Sequence, residues 1–306
     1  MNRLLSALSG FIGLSQRGRC RKSSARSSAG RTRPRTQLYL EALEDRCVPT
    51  AVAVPSGIVS WWTANNTAAD AMGLNNATLS NVTYTTGEVG KAVSFNGLNG
   101  WAALGDPSSL AFTASFTIEG WIKVNGLPAG YNFGSIMFRG DDRGGLDPYQ
   151  LVIKPNGDLQ FQIESDPNAW ASIEAPIPTG QFVHVAATLD DATGAMTLYE
   201  NGAIVAQITT TVRPFATLDP TQQPGVGIGN SNALSNYNVP FNGLIDELTV
   251  YNRALTAGEV FGIYKAGSSG KVISPIAVSN PSVVNGSGPV TFTITRTNTS
   301  GSLTVN

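Results

Sequence analysis

Residues 241–267 read FNGLIDELTVYNRALTAGEVFGIYKAG, a strand pattern followed by a short helix. Leu244, Asp246, Leu248 and Val250 alternate with Ile245, Glu247, Thr249 and Tyr251, so a regular strand points Asp246 the same way as three aliphatic side chains. An unpaired carboxylate in an apolar layer costs several kcal/mol, which calls for a cation, a cage of hydrogen bonds or protonation. After the strand, Thr256-Ala257-Gly258-Glu259 fits a capping box, with Val260, Phe261, Ile263 and Tyr264 behind it and Gly267 as the stop.

Outward from this stretch, the chain reads as β structure. LQFQIES at 159–165 puts Leu159, Phe161 and Ile163 on one face and Gln160, Gln162 and Glu164 on the other. FTIEGWIKV at 116–124 does the same, with Phe116, Ile118, Ile122 and Val124 inward and Glu119, Trp121 and Lys123 opposite. Asn-Gly pairs at 96–97, 99–100, 125–126, 156–157, 201–202 and 242–243 are preferred fillings of two-residue type I′ turns. Half-buried strands joined by hairpins predict an all-β fold of two antiparallel sheets packed face to face.

Five segments, in order, resemble laminin-G-like, concanavalin A-like jelly-roll modules of bacterial surface proteins. They are WWTANNTAADAMGLNNATL at 61–79, GEVGKAVSFNGLNGWAAL at 87–104, SFTIEGWIKV at 115–124, FVHVAATLDDATGAMTLYENG at 182–202 and the G-L-I-D-E-L-T-V-Y-N-R-A-L run at 243–255. The resemblance implies a concanavalin A-like jelly-roll sandwich over 51–267 with one short helix near its end. It also implies a structural calcium held by Asp70, Asn75 and Asp246. For Asp70, Asn75 and Asn76 the chemistry agrees, since calcium takes flexible, oxygen-rich loops. LEALEDRCVPTA at 40–51 resembles a leader motif of large multi-module surface proteins, so 1–50 is expected to be a basic, mostly disordered leader and the protein secreted or cell-surface. The VTFTITRT alternation near the end resembles the opening of a Calx-β repeat, making 268–306 a linker and partial module.

The chain has 306 residues, of which 42% are hydrophobic and 13% charged, enough for one large core. Nine of the 20 Lys and Arg and none of the 21 Asp and Glu lie in 1–36, so an acidic body follows a basic leader. Scattered basic residues in that body argue against nucleic-acid binding. Both cysteines, Cys20 and Cys47, precede the globular part, and no apolar run is long enough to span a membrane.

The expected partners are therefore a glycan or an extracellular protein, with Trp170 and Tyr237 as ligand-binding candidates because both sit in polar, loop-like surroundings. His184 is the only histidine and reads as a packed imidazole. The loop 139–147 lacks calcium-loop spacing and carries repelling arginines, and its Arg139-Gly140-Asp141 reads as a chance tripeptide in a solvated loop. Glycosidases of this fold resembling laminarinases need an E-x-D-x-x-E strand, which 245–247 does not supply. A non-catalytic recognition module is favoured. An accessory or catalytic domain of a carbohydrate-active enzyme and a structural spacer are the alternatives.

Overall fold

The computed structural model describes residues 50–143, 147–165, 169–231 and 236–273, together with the backbone of two short paired strands, Ala277–Val278 and Ile294–Thr295. The expected leader, apart from Thr50, and most of the expected Calx-β fragment lie outside the described residues. The strands are β1 (Val52–Ala53), β2 (Ile58–Trp62), β3 (Thr78–Ser80), β4 (Thr83–Thr86), β5 (Lys91–Asn96), β6 (Trp101–Gly105), β7 (Phe116–Gly126), β8 (Gly134–Gly140) and β9 (Tyr149–Ile153). They continue as β10 (Asp158–Ser165), β11 (Ala169–Pro176), β12 (Phe182–Leu189), β13 (Ala195–Glu200), β14 (Ala203–Thr209), β15 (Gly225–Ile228), β16 (Asn242–Tyr251) and β17 (Lys271–Val272), with helix α1 (Ala257–Ala266) before the last.

Two antiparallel sheets form the sandwich. One has seven strands in the order β11-β10-β9-β8-β15-β6-β3; the other has eight, β14-β13-β12-β7-β16-β5-β4, with β2 also paired to β16. The expected jelly-roll architecture is thus the observed one. Leu159, Phe161 and Ile163 of β10 and Phe116, Ile118 and Ile122 of β7 face each other in the interior. There Phe116 stacks on Phe112 at 5.1 Å and meets Tyr149 and Phe161 edge-on or tilted. Of the six Asn-Gly pairs, Asn201-Gly202 between β13 and β14 is the one in which both residues take positive φ, as a type I′ turn requires.

Strand β16 is irregular. The β16–β7 register slips between Asp246 and Thr249, and Glu247 takes a left-handed φ of 56°. Such a bulge inserts one residue and reverses the side-chain parity beyond it. Ile245 therefore faces the interior before the bulge, Leu248 and Val250 face it afterwards, and Asp246 pairs with Trp121 on the opposite, outer face. The expected sharing of one face by Asp246, Leu248 and Val250 does not hold. Gly120 sits across from the bulge, where an added Cβ would lie 3.1 Å from Leu248 Cα and 3.2 Å from the Asp246 carbonyl.

The outer face of the eight-stranded sheet is itself covered. Thr256 and Glu259 form the capping box of α1, whose Val260 and Ile263 pack with Leu255 on Ala186, Tyr199 and Tyr251. Beneath them lies a buried polar group around Glu119, which meets Lys271 Nζ at 2.9 Å, His184 Nε2 at 3.1 Å and the Tyr251 hydroxyl at 3.3 Å. Burial works against its charge, but Lys271 and His184 outweigh burial and hold Glu119 at about 2. Lys271 also donates to the Glu247 carbonyl, so ordered packing runs past the Gly267 boundary read from the sequence to β17, which pairs in parallel with β1.

Replacing Gly120 by alanine should destabilise the protein by about 1–3 kcal/mol, the cost of overpacking against backbone that cannot move aside. Urea unfolding of Gly120→Ala checks this, and an unchanged midpoint would show that the bulge yields.

Candidate functional site

Of the three residues expected to hold calcium, Asp70 and Asn75 share a hydrogen bond, while Asp246 bonds Val89. Asp70 and Asn75 do meet, but their oxygens are occupied. The Asp70 carboxylate accepts the backbone N–H groups of Trp61, Met72, Leu74 and Asn75 at 2.8–3.2 Å. Asn75 donates to Ser60 Oγ, its side-chain oxygen accepts from Ser109, and its carbonyl accepts from the Trp62 indole. Four N–H dipoles converging on one carboxylate occupy its lone pairs and repel a cation, so this loop is a hydrogen-bond cage.

Asp246 turns elsewhere. Its Oδ2 accepts the Val89 N–H at 2.9 Å, and an added Cβ on Gly87 would come within 2.3 Å of that oxygen. Its Oδ1 is buried and has no hydrogen-bond partner. Burial pushes its carboxyl up to about 7 despite the Val89 hydrogen bond. Among the described residues no group of three or more His, Cys, Asp or Glu side chains is arranged to hold a metal. One orphaned carboxylate oxygen remains the feature that would suit a cation.

The expected binding aromatics are both accessible. Tyr237 is 39% exposed and lines a cleft of about 290 Å³ with Gly130, Tyr131, Asn132, Asn236, Asn238 and Val239. The cleft joins two segments more than a hundred residues apart, 130–132 and 236–239, and among the described residues no acidic side chain lines it. Hydrogen bonds fix its walls. Asn238 donates to Tyr131 Oη at 3.3 Å and to the Leu98 carbonyl at 3.0 Å, and accepts from Asn230. Asn236 donates through its backbone and its side chain to Asp142 Oδ2, while the Ser231 hydroxyl donates to the Tyr237 carbonyl. The Tyr-Asn dipeptide that occurs at both 131–132 and 237–238 was the available sequence signal for this pairing.

Trp170 lies on β11 rather than in a loop and is 62% exposed. It pairs with Glu164 of β10 at the edge of the seven-stranded sheet. Near that corner the tripeptide 139–141 is buried, not solvated. Arg139 bonds Asp106 and the carbonyls of Phe215 and Ala216, while Asp141 holds Arg143 and the Asp219 N–H. Neither charge is available to an adhesion receptor. Asp147 sits beside them, its N–H donating to Glu164 Oε2 at 3.0 Å. Burial, then the neighbouring Glu164 and Asp141, push its carboxyl up to about 8.

With that raised value, the unfolded chain ionises Asp147 near pH 4 while the folded protein keeps the proton. Stability should therefore fall as pH rises from about 4 to about 8, by at most about 1.4 kcal/mol per pH unit for one proton. Asp147→Asn should flatten this slope. Urea midpoints at pH 5 and pH 8 for both proteins test it, and parallel pH profiles would remove Asp147 as the source.

No curated protein matches the chain. Among solved structures it is similar to domain 4 of AbnA, an extracellular GH43 arabinanase of Geobacillus stearothermophilus, determined in complex with arabinotriose. The identity is 24% with a TM-score of 0.53, covering 68% of this chain and 98% of that one. It is also similar to the binding domain of Paraclostridial Mosquitocidal Protein 1, at 16% identity and TM-score 0.50 over 68% of this chain and 52% of that one. Trypanosoma rangeli sialidase matches at 18% and 0.53, over 71% of this chain and 34% of the sialidase. These likenesses establish the fold. The family model described as the concanavalin A-like lectin/glucanases superfamily matches residues 95–261, more than half of the chain, and the protein belongs to that superfamily.

Proposed function

We propose that this protein is a non-catalytic recognition module of a secreted or cell-surface, multi-module protein, and that it binds glycan. The observation that carries this reading is the Tyr131–Tyr237 cleft. Two phenols offer apolar ring faces for a sugar's C–H face, and the exposed Asn132 and Asn236 can supply polar contacts to hydroxyls. Hydrolysis of a glycosidic bond needs two carboxyl groups flanking it, and the cleft lining holds none. The likeness to an arabinanase domain crystallised with arabinotriose supports a saccharide ligand and makes arabinotriose the first probe. It equally supports attachment of the module to a carbohydrate-active enzyme, which would change what the module is joined to and leave the site as described.

Isothermal titration with arabinotriose and a panel of neutral oligosaccharides should detect binding, and Tyr237→Ala should weaken it about tenfold, the value of one aromatic contact. Absence of binding to every saccharide, with and without calcium, would favour the spacer reading.

For the structural calcium, Asp246 is the candidate carboxylate left with an open oxygen. Asp246, buried with an open Oδ1 beside the 87–90 turn, would hold the ion, which would neutralise the carboxylate and pin that turn to β16. Asp70 and Asn75 would not take part. Calcium in excess over a chelator should raise the unfolding midpoint by a few degrees in the parent protein and leave Asp246→Asn unmoved. A midpoint that ignores calcium in the parent rejects the ion.

A further inference from the structure

We infer that Asn125 is a site of spontaneous modification, at which the folded protein converts an asparagine to isoaspartate and aspartate through a succinimide. Six Asn-Gly pairs lie among the described residues. Each invites this chemistry, because a glycine has no Cβ to hinder attack by its own nitrogen on the preceding side chain. At Asn125 the Gly126 nitrogen bonds to Cγ, the Cγ–Nδ2 bond breaks, and the proton lost from the backbone leaves with the amide group as ammonia. Water then opens the ring. Addition at the backbone carbonyl gives isoaspartate, and addition at Cγ gives aspartate.

Ring closure requires the side-chain amide to swing onto the next nitrogen, so each hydrogen bond that holds either group slows it by about fivefold. Five of the six pairs are held. Asn96 Oδ1 accepts the N–H groups of Leu98, Asn99 and Gly100, and the Gly97 N–H goes to the Phe241 carbonyl. Those bonds also engage Asn99-Gly100, since Asn99 Oδ1 accepts from Asn96 Nδ2. Asn156 bonds Asp158 through both Oδ1 and Nδ2, and Gly157 donates to the Lys154 carbonyl. Asn201 Oδ1 accepts the N–H of His184, on the buried strand β12. The Asn242 side chain is wedged between Gly97 and Gly126, where an added Cβ would lie 2.7 and 2.5 Å from it, and Gly243 behind it is buried.

Asn125 is held by none of these devices. It is exposed, and among the described residues its side chain has no hydrogen-bond partner. It also sits in a bulge. β16 pairs Gly243 with Val124 and Asn242 with Gly126, passing over Asn125, while β12 follows β7 only as far as Lys123. A residue passed over on both sides has no ladder to fix its backbone angles. The Gly180 N–H holds the Val124 carbonyl, so that freedom begins at Asn125, and Gly126 ends β7, so turning the 125–126 peptide disturbs no strand residue beyond it. The product carries a new negative charge and, as isoaspartate, an added backbone methylene. Both fall where the segment bearing Tyr131 leaves the sheet.

The test is peptide mapping by mass spectrometry of the full chain aged at mildly alkaline pH, once folded and once in urea, with each Asn-Gly peptide followed separately. Asn285-Gly286 lies outside the described residues and does not enter the comparison. In the folded protein Asn125 should convert at least about fivefold faster than any of the other five, the effect of one retained hydrogen bond. Its rate should rise with hydroxide concentration, as attack by a deprotonated nitrogen requires. An isoaspartate-specific methyltransferase should label the Asn125 peptide of aged protein and leave that of fresh protein unlabelled. In urea the six sites should convert at similar rates. Conversion of Asn125 no faster than that of Asn99 or Asn156 in the folded state overturns the site. An equal lead for Asn125 in urea assigns the preference to its sequence neighbours and overturns the role of the bulge.

Discussion

The bulge in β16 is the constraint on which the rest of the sandwich depends. Without it, strict alternation would drive Asp246 into the interior among Leu248 and Val250, where a carboxylate has no compensation. One extra residue, Glu247 in a left-handed conformation opposite Gly120, keeps the interior apolar and turns both acids toward the outer face. There they can be answered by groups from distant parts of the chain. The Trp61 indole donates to Glu247 at 3.0 Å, Val89 donates to Asp246, and Lys271 reaches the Glu247 carbonyl as well as Glu119. Removing one partner from such a buried group costs far more than the intact group contributes, because it strands a charge. The bulge thus couples β2, the 87–90 turn and β17 to the central strand.

This arrangement divides labour between the two sheets. The outer face of the eight-stranded sheet is closed by α1 and carries its charges as internal pairs, so it offers a ligand little to bind. The seven-stranded sheet is different at its β10–β11 edge, where Gln160, Gln162 and Trp170 keep part of their surface in solvent, whereas β9 is buried throughout. Polar groups on one face of a strand pattern are usually read as a solvated surface, and for Gln160 and Gln162, both half-buried, solvation would suffice. Gln150 departs from that account, being buried with an unpaired oxygen.

Much of the architecture was legible because it rests on local periodicity. The alternation in 159–165 and the Thr256–Glu259 box each depend on residues within one turn or one strand, and both appear as read. The bulge was not legible, since it depends on what stands opposite, and Gly120 lies on another strand. The hydrogen-bond cage of Asp70 was not legible for a related reason. Sequence displays the oxygens of Asp70 and Asn75 but not the backbone donors that the fold aims at them. Trp170 has polar, loop-like sequence neighbours, yet it is a strand residue, exposed on the edge strand β11. The cleft was half visible, through Tyr237. Its other wall, Tyr131, comes from a segment brought near by the bonds of β8 to Gly229 and Val239.

The cleft walls also bear on what kind of binding this scaffold can support. Weak saccharide contacts are easily cancelled by the entropy of ordering the side chains and loops that make them. Here much of that ordering is already in place. Ser231 fixes the Tyr237 carbonyl, Asn230 bonds both Asn238 and the Val239 N–H, and Asp142 takes two donors from Asn236. These bonds use the backbone and the amides on the protein side while Tyr237 keeps part of its ring in solvent. A ligand would therefore meet a rim set by polar bonds made during folding. Its contact energy would go into affinity, not into organising the loops, and the same holds at Trp170, whose backbone is held by the β10 ladder.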